Sequence, residues 1–202
     1  MNQRQAAMAA SREAIVLAAG GTFAAHGYEG ASFSRVAEAM GKPKSAVGYH
    51  LFPSKLALAT AVVERQQERW AATEAELDDP AGIERLTAML LATSIEARTD
   101  PVAAGAVRLL HELLHSELPV PRGFIWSTFI RAQLAAAATR AGIPEASLPE
   151  HAHHLLLEAT FGLVTTGRRE SDAELARRLR ALWVPLLVSF GFTDAERLVP
   201  AA

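Results

Sequence analysis

The chain has no cysteine and only three lysines among its 202 residues. The lack of cysteine excludes a disulfide framework and thiol chemistry. Alternation of β-branched and polar residues is nearly absent, so strand signals are weak. The start of the chain is polar and carries no evident secretory signal, and the uncharged stretch that follows it is too short to span a membrane. We therefore expect a cytoplasmic protein that does not enter a membrane.

Alanine, leucine, arginine and glutamate dominate, and half of the residues are hydrophobic. This composition favours helix and excludes disorder. We predict an all-α chain of about nine helices, with a three-helix head over residues 1–53 and a helical bundle over residues 54–202. Outside the stretch 32–55, the expected helices cover residues 11–25, 54–77, 81–98, 101–117, 123–141, 149–166 and 171–190, the last kinked at Pro185.

Residues 32–55 are predicted to form two short helices separated by a tight turn. Ser32 suits an N-cap, and it precedes an apolar helical face made of Phe33, Val36, Ala37 and Met40. Gly41 suits the left-handed residue that ends a helix, and Pro43 suits the first turn of the next one. Ser54 is expected to cap the helix that follows. Two short helices across such a turn indicate helix-turn-helix geometry.

The three lysines Lys42, Lys44 and Lys55 all lie in this stretch. Residues 1–55 hold six basic and three acidic side chains, a net charge of +3, while the rest of the chain carries −5. Because phosphate contacts dominate the affinity of proteins for DNA, the basic head is predicted to bind double-stranded DNA. The alternative is a basic surface that is merely solvated. The predicted contact residues are Arg35, Lys42, Lys44, Ser45, Tyr49 and His50.

The block GYEGASFSRVAEAMGKPKSAVGYHLFPSK, with SREAIVLAAGGTFAAHG before it, resembles the N-terminal domain of TetR-family transcriptional regulators. The resemblance covers about residues 9–60. It implies a small-molecule effector site in the C-terminal body, and it implies that Lys55 contacts a phosphate. The chain departs from the family pattern where Leu51 and Phe52 compete for the closing aromatic position. Which of Gly48, Tyr49 and His50 faces the DNA is therefore left open.

Several side chains of the body could line a small-ligand pocket, which is typically apolar with a few polar groups. These are Met89, Thr93, His111, Trp126, Phe129 and Thr165. Core packing is the alternative for them. The C-terminal half also resembles the γ-butyrolactone-receptor branch of the family, in Trp126, in Ala141-Gly142 and in TGRRESDAELARRLRALWVPLL. That resemblance implies that Trp126 lines the effector cavity, and it suggests a repressor that a small apolar effector releases from its operator.

The last two long helices are apolar on too many sides for one core. We predict a two-fold four-helix interface, which would also let a homodimer read two symmetric half-sites. Deep burial within the monomer is the alternative. The predicted interface residues are Leu156, Phe161, Leu179, Leu182, Trp183 and Leu186.

His111-Glu112-Leu113-Leu114-His115 matches H-E-x-x-H, the zinc-hydrolase helix motif with a glutamate base beside two imidazoles. No third ligand is assigned, although residues 151, 153, 154 and 158 are candidates by type. We expect two polar histidines in a helix, with no catalytic residue, metal or cofactor. The alternatives are a zinc-dependent hydrolase, metal binding by His151, His153 and His154, and a helical adaptor for a partner protein. An adaptor would not explain lysines confined to the turn region.

Overall fold

The computed structural model describes residues 3–47, 51–114, 116–119, 121, 123–166 and 170–200. These residues form nine α-helices and no strand, so the all-α prediction is confirmed. The helices are α1 Gln3–Gly30, α2 Phe33–Ala39, α3 Lys55–Glu76, α4 Ile83–Thr99, α5 Pro101–Leu114, α6 Trp126–Ala141, α7 Ala152–Thr165, α8 Asp172–Ser189 and α9 Ala195–Leu198. Short 3-10 turns lie at Lys44–Ala46 and Glu145–Ser147. None of the helices in these ranges has both the length and the hydropathy that a membrane span requires.

The helix boundaries of the head follow the local signals in its sequence. The Ser32 hydroxyl accepts a hydrogen bond from the Arg35 backbone N–H at 3.3 Å. The Ser54 hydroxyl accepts one from the Ala57 N–H at 3.0 Å. Gly41 adopts a φ of +62°, the left-handed conformation that follows a helix end. These three predictions are confirmed.

Three elements differ from the prediction. The second short helix predicted within residues 32–55 is only a 3-10 turn, Lys44–Ala46, in the part of the stretch that the structure describes. α1 begins at Gln3 rather than near Ser11, because its early alanines favour helix strongly enough to extend it. Within α1 the backbone breaks at Gly27, with φ +67° and ψ −177°, two residues after the predicted helix end at residue 25. α9 was not predicted, since four residues are too short to show periodicity. α8 runs through Pro185 without ending.

The chain divides into two compact units. The first comprises Met1–Trp70 and Glu96–Gly123, and the second comprises Ala71–Ile95 and Phe124–Ala202. The first unit thus includes α5 together with the predicted head. The functional division at residue 53 stays a prediction.

In the first unit, α1 packs closely on α5. A Cβ added to Gly20 would lie 2.7 Å from the Val102 Cα, and one added to Gly105 would overlap the carbonyl oxygen of Gly20. Glycine at these two positions is therefore what allows the two helices to approach so closely. The core around this crossing contains Ile15, Val16, Phe23, Val36, Phe52, Leu58, Val62, Leu109 and Leu113.

Pro121 and Gly123, which follow α5 in the chain, are both bonded to Gln67 of α3. The Gln67 side-chain amide donates to the Pro121 carbonyl at 3.1 Å, and its oxygen accepts the Gly123 N–H at 3.0 Å. Gln67 is buried, so these bonds satisfy a polar group that would otherwise destabilise the core. A side chain at position 123 would crowd Gln67, since an added Cβ would lie 2.9 Å from the Gln67 Cβ.

In the second unit, α7 packs against both α6 and α8. The Trp183 Nε1–H donates to the Thr160 hydroxyl at 2.8 Å, and that hydroxyl donates to the Leu156 carbonyl at 2.6 Å. Trp183 and Thr160 are both buried. The apolar residues buried on these two helices include Leu156, Leu175, Leu179 and Leu187. The buried faces of α7 and α8 therefore form part of the core of the single chain.

Candidate nucleic-acid interface

The turn after α2 exposes three of the predicted DNA-contact residues. Backbone N–H groups of Gly41 and Lys42 bond back to the carbonyls of Glu38 and Ala37, each at 2.9 Å, and so end α2. The 3-10 turn at Lys44–Ala46 follows, and Val47 is buried beneath it. Lys42, Lys44 and Ser45 are exposed. The arrangement holds two cations and a hydroxyl on the surface of a short, internally bonded turn.

Two other predicted contact residues, Tyr49 and His50, lie outside the described residues, as does Gly48. The competition between Leu51 and Phe52 is settled by burial. Phe52 is 2% exposed and carries the Arg12 guanidinium 5.0 Å from its ring centre, while Leu51 is half-buried. Phe52 therefore fills the buried closing position.

Lys55 opens α3 at the junction with the end of α1. Its Nζ lies 4.4 Å from the centre of the Tyr28 ring, which stacks on Phe23 with an interplanar angle of 6°. The same Nζ lies 3.4 Å from the Glu29 carbonyl oxygen and 3.9 Å from its carboxylate. Burial, and then the Glu29 charge, raise the pKa of the Tyr28 hydroxyl. Tyr28 thus presents a neutral aromatic face to the ammonium.

Arg35 lies apart from the turn, on the exposed side of α2. Its Nη1 is 3.4 Å from the His26 Nε2. Both side chains line a groove of about 570 Å³ between α1, α2 and Pro101 at the start of α5. Arg35 therefore belongs to the same surface as His26, not to the turn that carries Lys42 and Lys44.

Both carboxylate oxygens of Glu112, the glutamate of the H-E-x-x-H sequence, accept hydrogen bonds from other residues of the chain. Glu112 Oε2 accepts the Tyr28 N–H at 2.5 Å, and Oε1 accepts the Arg108 Nε–H at 2.8 Å. Arg108 also donates to the Ala24 carbonyl at 2.9 Å. Burial alone would raise the pKa of Glu112, but the bonds from Tyr28 and Arg108 and the nearby charges of Arg108 and His111 outweigh it and lower that pKa.

The geometry around Glu112 gives the zinc-hydrolase alternative no support. His115 lies outside the described residues. Among the residues that are described, no group of three or more His, Asp or Glu side chains is placed to hold a metal ion. Arg108 is the partner that sequence reasoning missed; its signal was the i, i+4 spacing to Glu112 on one helix.

The predicted effector residues fall into separate places. Trp126 and Phe129 come together with their rings 6.1 Å apart at 89°, joined by Phe124 at 5.1 Å and Phe161 at 6.0 Å from Trp126. We call Phe124, Trp126, Phe129 and Phe161 the aromatic cluster. Trp126 and Phe129 are only 5% and 6% exposed. Phe161, predicted for the dimer interface, thus also contacts Trp126.

The remaining predicted effector residues are polar or lie deep in the core. Thr93 is buried, and its hydroxyl donates to the carbonyl of Met89, which is also buried. The Thr165 hydroxyl donates to the Phe161 carbonyl from an exposed position. His111 is exposed and belongs to the first unit. The hydroxyls of Thr93 and Thr165 therefore donate to backbone carbonyls of the helices that carry them.

The predicted dimer residues divide by burial. Leu156, Leu179 and Trp183 are at most 2% exposed, so the single chain already buries them. Phe161, Leu182 and Leu186 are half-buried. Two apolar residues that were not predicted, Leu155 on α7 and Val188 on α8, are 47% and 43% exposed. A sequence period alone could not separate these faces, because both helices are apolar on several sides.

The histidines near the start of α7 contact one another. The His153 and His154 ring centres lie 4.1 Å apart, and His151 stacks on His154 at 6.3 Å. His153 is buried, with its Nε2 3.1 Å from the Arg131 Nη2 on α6. Burial first, and then the charges of His154, Arg131 and His151, lower the pKa of His153. His153 is thus held as a neutral acceptor for Arg131.

Comparison with known proteins gives two curated relatives. The chain is 37% identical over 101 residues to the HTH-type transcriptional repressor AcnR of Corynebacterium efficiens, covering 45% of this chain and 53% of AcnR. It is 35% identical over 102 residues to AcnR of Corynebacterium glutamicum. The chain thus spans about half the length of the curated relatives that it matches. No protein-family model matches it.

Solved structures match nearly the whole chain. One of these structures is described as the molecular basis for control of antibiotic production by bacterial hormones. It is 31% identical to this chain, the match covers 88% of this chain and 96% of the solved chain, and the TM-score is 0.66. The TetR-family protein CprB from Streptomyces coelicolor is 25% identical, covers 94% of both chains and gives 0.68. A γ-butyrolactone receptor described as ArpA-like shares the fold at 23% identity, with 95% and 94% coverage and a TM-score of 0.72. With the all-α fold of the described residues and these relatives, the chain belongs to the TetR family of transcriptional regulators.

Proposed function

We propose that this protein is a DNA-binding transcriptional repressor that acts as a homodimer and leaves its operator when a small apolar effector binds. The observation that carries the proposal is the turn after α2, which exposes Lys42, Lys44 and Ser45 above the buried Val47. Two cations on one internally hydrogen-bonded turn can neutralise neighbouring phosphates. The similarity to AcnR, a transcriptional repressor, supports the same function.

The DNA-binding surface is proposed to centre on the turn and on Lys55. Lys42, Lys44 and Ser45 approach the backbone from the turn, and Lys55 approaches from the start of α3, where the Tyr28 ring supports it. Tyr49 and His50, next along the chain, are proposed to reach base edges or phosphates, as the sequence predicts. Arg35 is the least favoured contact because its guanidinium pairs with His26.

The dimer interface is proposed to lie on the outer faces of α7 and α8. Leu155 and Val188 are exposed there, and Phe161, Leu182 and Leu186 are half-buried. Leu156, Leu179 and Trp183 are assigned to the core beneath this face rather than to the interface. A closed two-fold dimer would cover these apolar side chains and place two heads on symmetric half-sites.

The effector is proposed to bind beside the aromatic cluster. Trp126 is 5% exposed, so a ligand would reach its apolar surface by displacing its half-buried neighbours Phe124 and Phe161. A ligand that stabilises one arrangement of this cluster over another can shift the equilibrium between DNA-bound and released forms. A lactone with an alkyl chain has the chemistry that such a site would accept.

Selection of bound fragments from random DNA by the purified full chain tests the proposal. We expect enrichment of a palindrome whose half-sites are about 10 base pairs apart, or a multiple of that spacing. Lys44→Ala should weaken binding to the selected fragment and reduce the salt slope by about one unit. Arg197→Ala, which removes an exposed cation in the second unit, is the matched control and should change neither. Recovery of no preferred DNA would overturn the proposal.

A further inference from the structure

An ion pair on α5 holds the end of α1 at two backbone groups. Arg108 donates to the Ala24 carbonyl, and Glu112 accepts the Tyr28 N–H, while the two side chains bond to each other. We call Arg108 and Glu112 the clasp. It closes on the backbone break at Gly27, where an added Cβ would lie 2.7 Å from the Arg108 Nη2 and would overlap Glu112 Oε1. The left-handed glycine is therefore what lets the clasp reach the backbone.

The clasp is linked to a cation of the proposed DNA-binding surface through Tyr28. The Tyr28 N–H is held by Glu112 at 2.5 Å, and its ring lies 4.4 Å from the Lys55 ammonium. Glu112 therefore fixes the residue against which Lys55 rests. Lys55 is at the first turn of α3, and its ammonium is held near the junction by the Tyr28 ring and by the carbonyl and carboxylate of Glu29, the residue next to Tyr28.

We propose that Glu112 is a positioning residue for DNA binding, which holds Tyr28 so that the Tyr28 ring directs the Lys55 ammonium towards the phosphate backbone. This inference rests on the proposed function as a DNA-binding repressor. It gives the glutamate of the H-E-x-x-H sequence a role that needs neither a metal nor the neighbouring histidines.

The sign of the effect separates this role from simple electrostatics. A carboxylate in the unit that carries the head repels a polyanion, so removing any acid there should leave DNA binding unchanged or tighten it. Removing Glu112 should do the opposite, because the loss of Lys55 positioning outweighs the loss of one negative charge. Glu117 is the matched control: it is an exposed acid of the same unit, a short distance along the chain.

The experiment measures the affinity of the full chain for its selected DNA fragment across a salt series. We expect Glu112→Ala to bind about three- to tenfold more weakly and with a salt slope lower by about one unit, as for the loss of one phosphate contact. Glu117→Ala should bind as tightly as the parent or more tightly. Glu112→Gln keeps an oxygen that can accept the Tyr28 N–H, so its affinity should lie between those of the parent and the alanine variant.

A double-mutant cycle with Lys55→Ala shows whether Glu112 acts through Lys55. In the Lys55→Ala background, Glu112→Ala should cost almost nothing further. Additive losses with an unchanged salt slope would overturn the inference, as would equal affinity of the Glu112→Ala and Glu117→Ala variants. If Glu112→Ala does not fold, the cycle is run with Glu112→Gln and judged by the same outcomes. Failure of the parent to select any DNA would instead overturn the proposed function.

Discussion

The indole nitrogen of Trp183 donates a 2.8 Å hydrogen bond to the hydroxyl of Thr160, and both residues are buried between α7 and α8. The Thr160 hydroxyl in turn donates a hydrogen bond to the Leu156 carbonyl. Both hydrogen-bonding roles of that hydroxyl are therefore in use, and the tryptophan is held inside the single chain. This orientation places the Trp183 Nε1 in the core. The outer face of α8 carries smaller apolar side chains.

Thr160→Val should destabilise the fold by about 1–3 kcal/mol, because it leaves the buried indole N–H without its acceptor. Urea unfolding at one fixed protein concentration measures the change. In a Trp183→Phe background the same substitution should cost clearly less, since no indole N–H remains to be satisfied. Equal costs in the two backgrounds would show that the hydrogen bond contributes nothing.

Substitutions at two adjacent glycines should change stability in opposite directions. Gly20→Ala brings a methyl group 2.7 Å from the Val102 Cα, and backbone cannot yield as a side chain can, so a loss of about 1–3 kcal/mol is expected. Gly21→Ala meets only the Pro101 Cβ at 3.6 Å and should gain up to about 1 kcal/mol of helix propensity. Thermal unfolding compares them. A stabilised Gly20→Ala variant would contradict the close crossing of α1 and α5.

Stability should fall as the solution is acidified through the titration of His153. The pKa of His153 is lowered chiefly by burial, with Arg131, His151 and His154 facing the ring and Glu145 and Glu150 lining the adjacent concavity. Because the unfolded imidazole has a pKa near about 6.5, the unfolded chain binds the proton more readily. The stabilising effect of this group is thus complete above about pH 6.5 and is lost as pH falls through the folded pKa.

His153→Gln should flatten this part of the pH dependence, and urea midpoints measured between pH 5 and 8 can test it. The exposed His154→Gln is the control and should leave most of the slope in place. If both variants keep the full slope, another group is responsible for it.

Val188→Asp should give a folded monomer with no affinity for the operator. Val188 is 43% exposed in the single chain, so a carboxylate there is tolerated by the monomer but costs several kcal/mol if a partner covers it. Met8→Asp, at a 50% exposed position on α1, is the matched control and should stay dimeric. Sedimentation at micromolar concentration reports the mass. If the Val188→Asp variant is still a dimer, α8 does not form the interface.

Trp126→Phe should retain operator binding but respond less to effector. The smaller ring keeps aromatic packing with Phe129 and Phe161 while reducing the surface offered to a ligand. A series of γ-butyrolactones with lengthening alkyl chains is the probe, and release of the labelled operator is the measurement. Trp70→Phe, a change at a buried tryptophan of the first unit, is the control. Identical release curves for parent and Trp126→Phe would assign Trp126 to packing alone.

Local signals in the sequence were enough to predict much of the head. Ser32, Gly41 and Ser54 act through neighbours within a few residues, so capping and turn rules identify them. The bond of Glu112 to the Tyr28 N–H could not be predicted in this way, because Tyr28 lies 84 residues earlier in the chain. The inward direction of Trp183 was equally hidden, since periodicity on a helix that is apolar on several sides does not indicate which neighbour covers which side.

The two hydrogen bonds of Gln67 have a consequence for sequence variation. One end of this amide must donate and the other must accept, because its partners are the Pro121 carbonyl and the Gly123 N–H. A glutamate could meet only the second requirement, and any larger residue at 123 would displace the amide. Among related proteins, positions 67 and 123 should therefore change together or not at all, so that an aligned set of sequences would record this buried contact as a correlated pair.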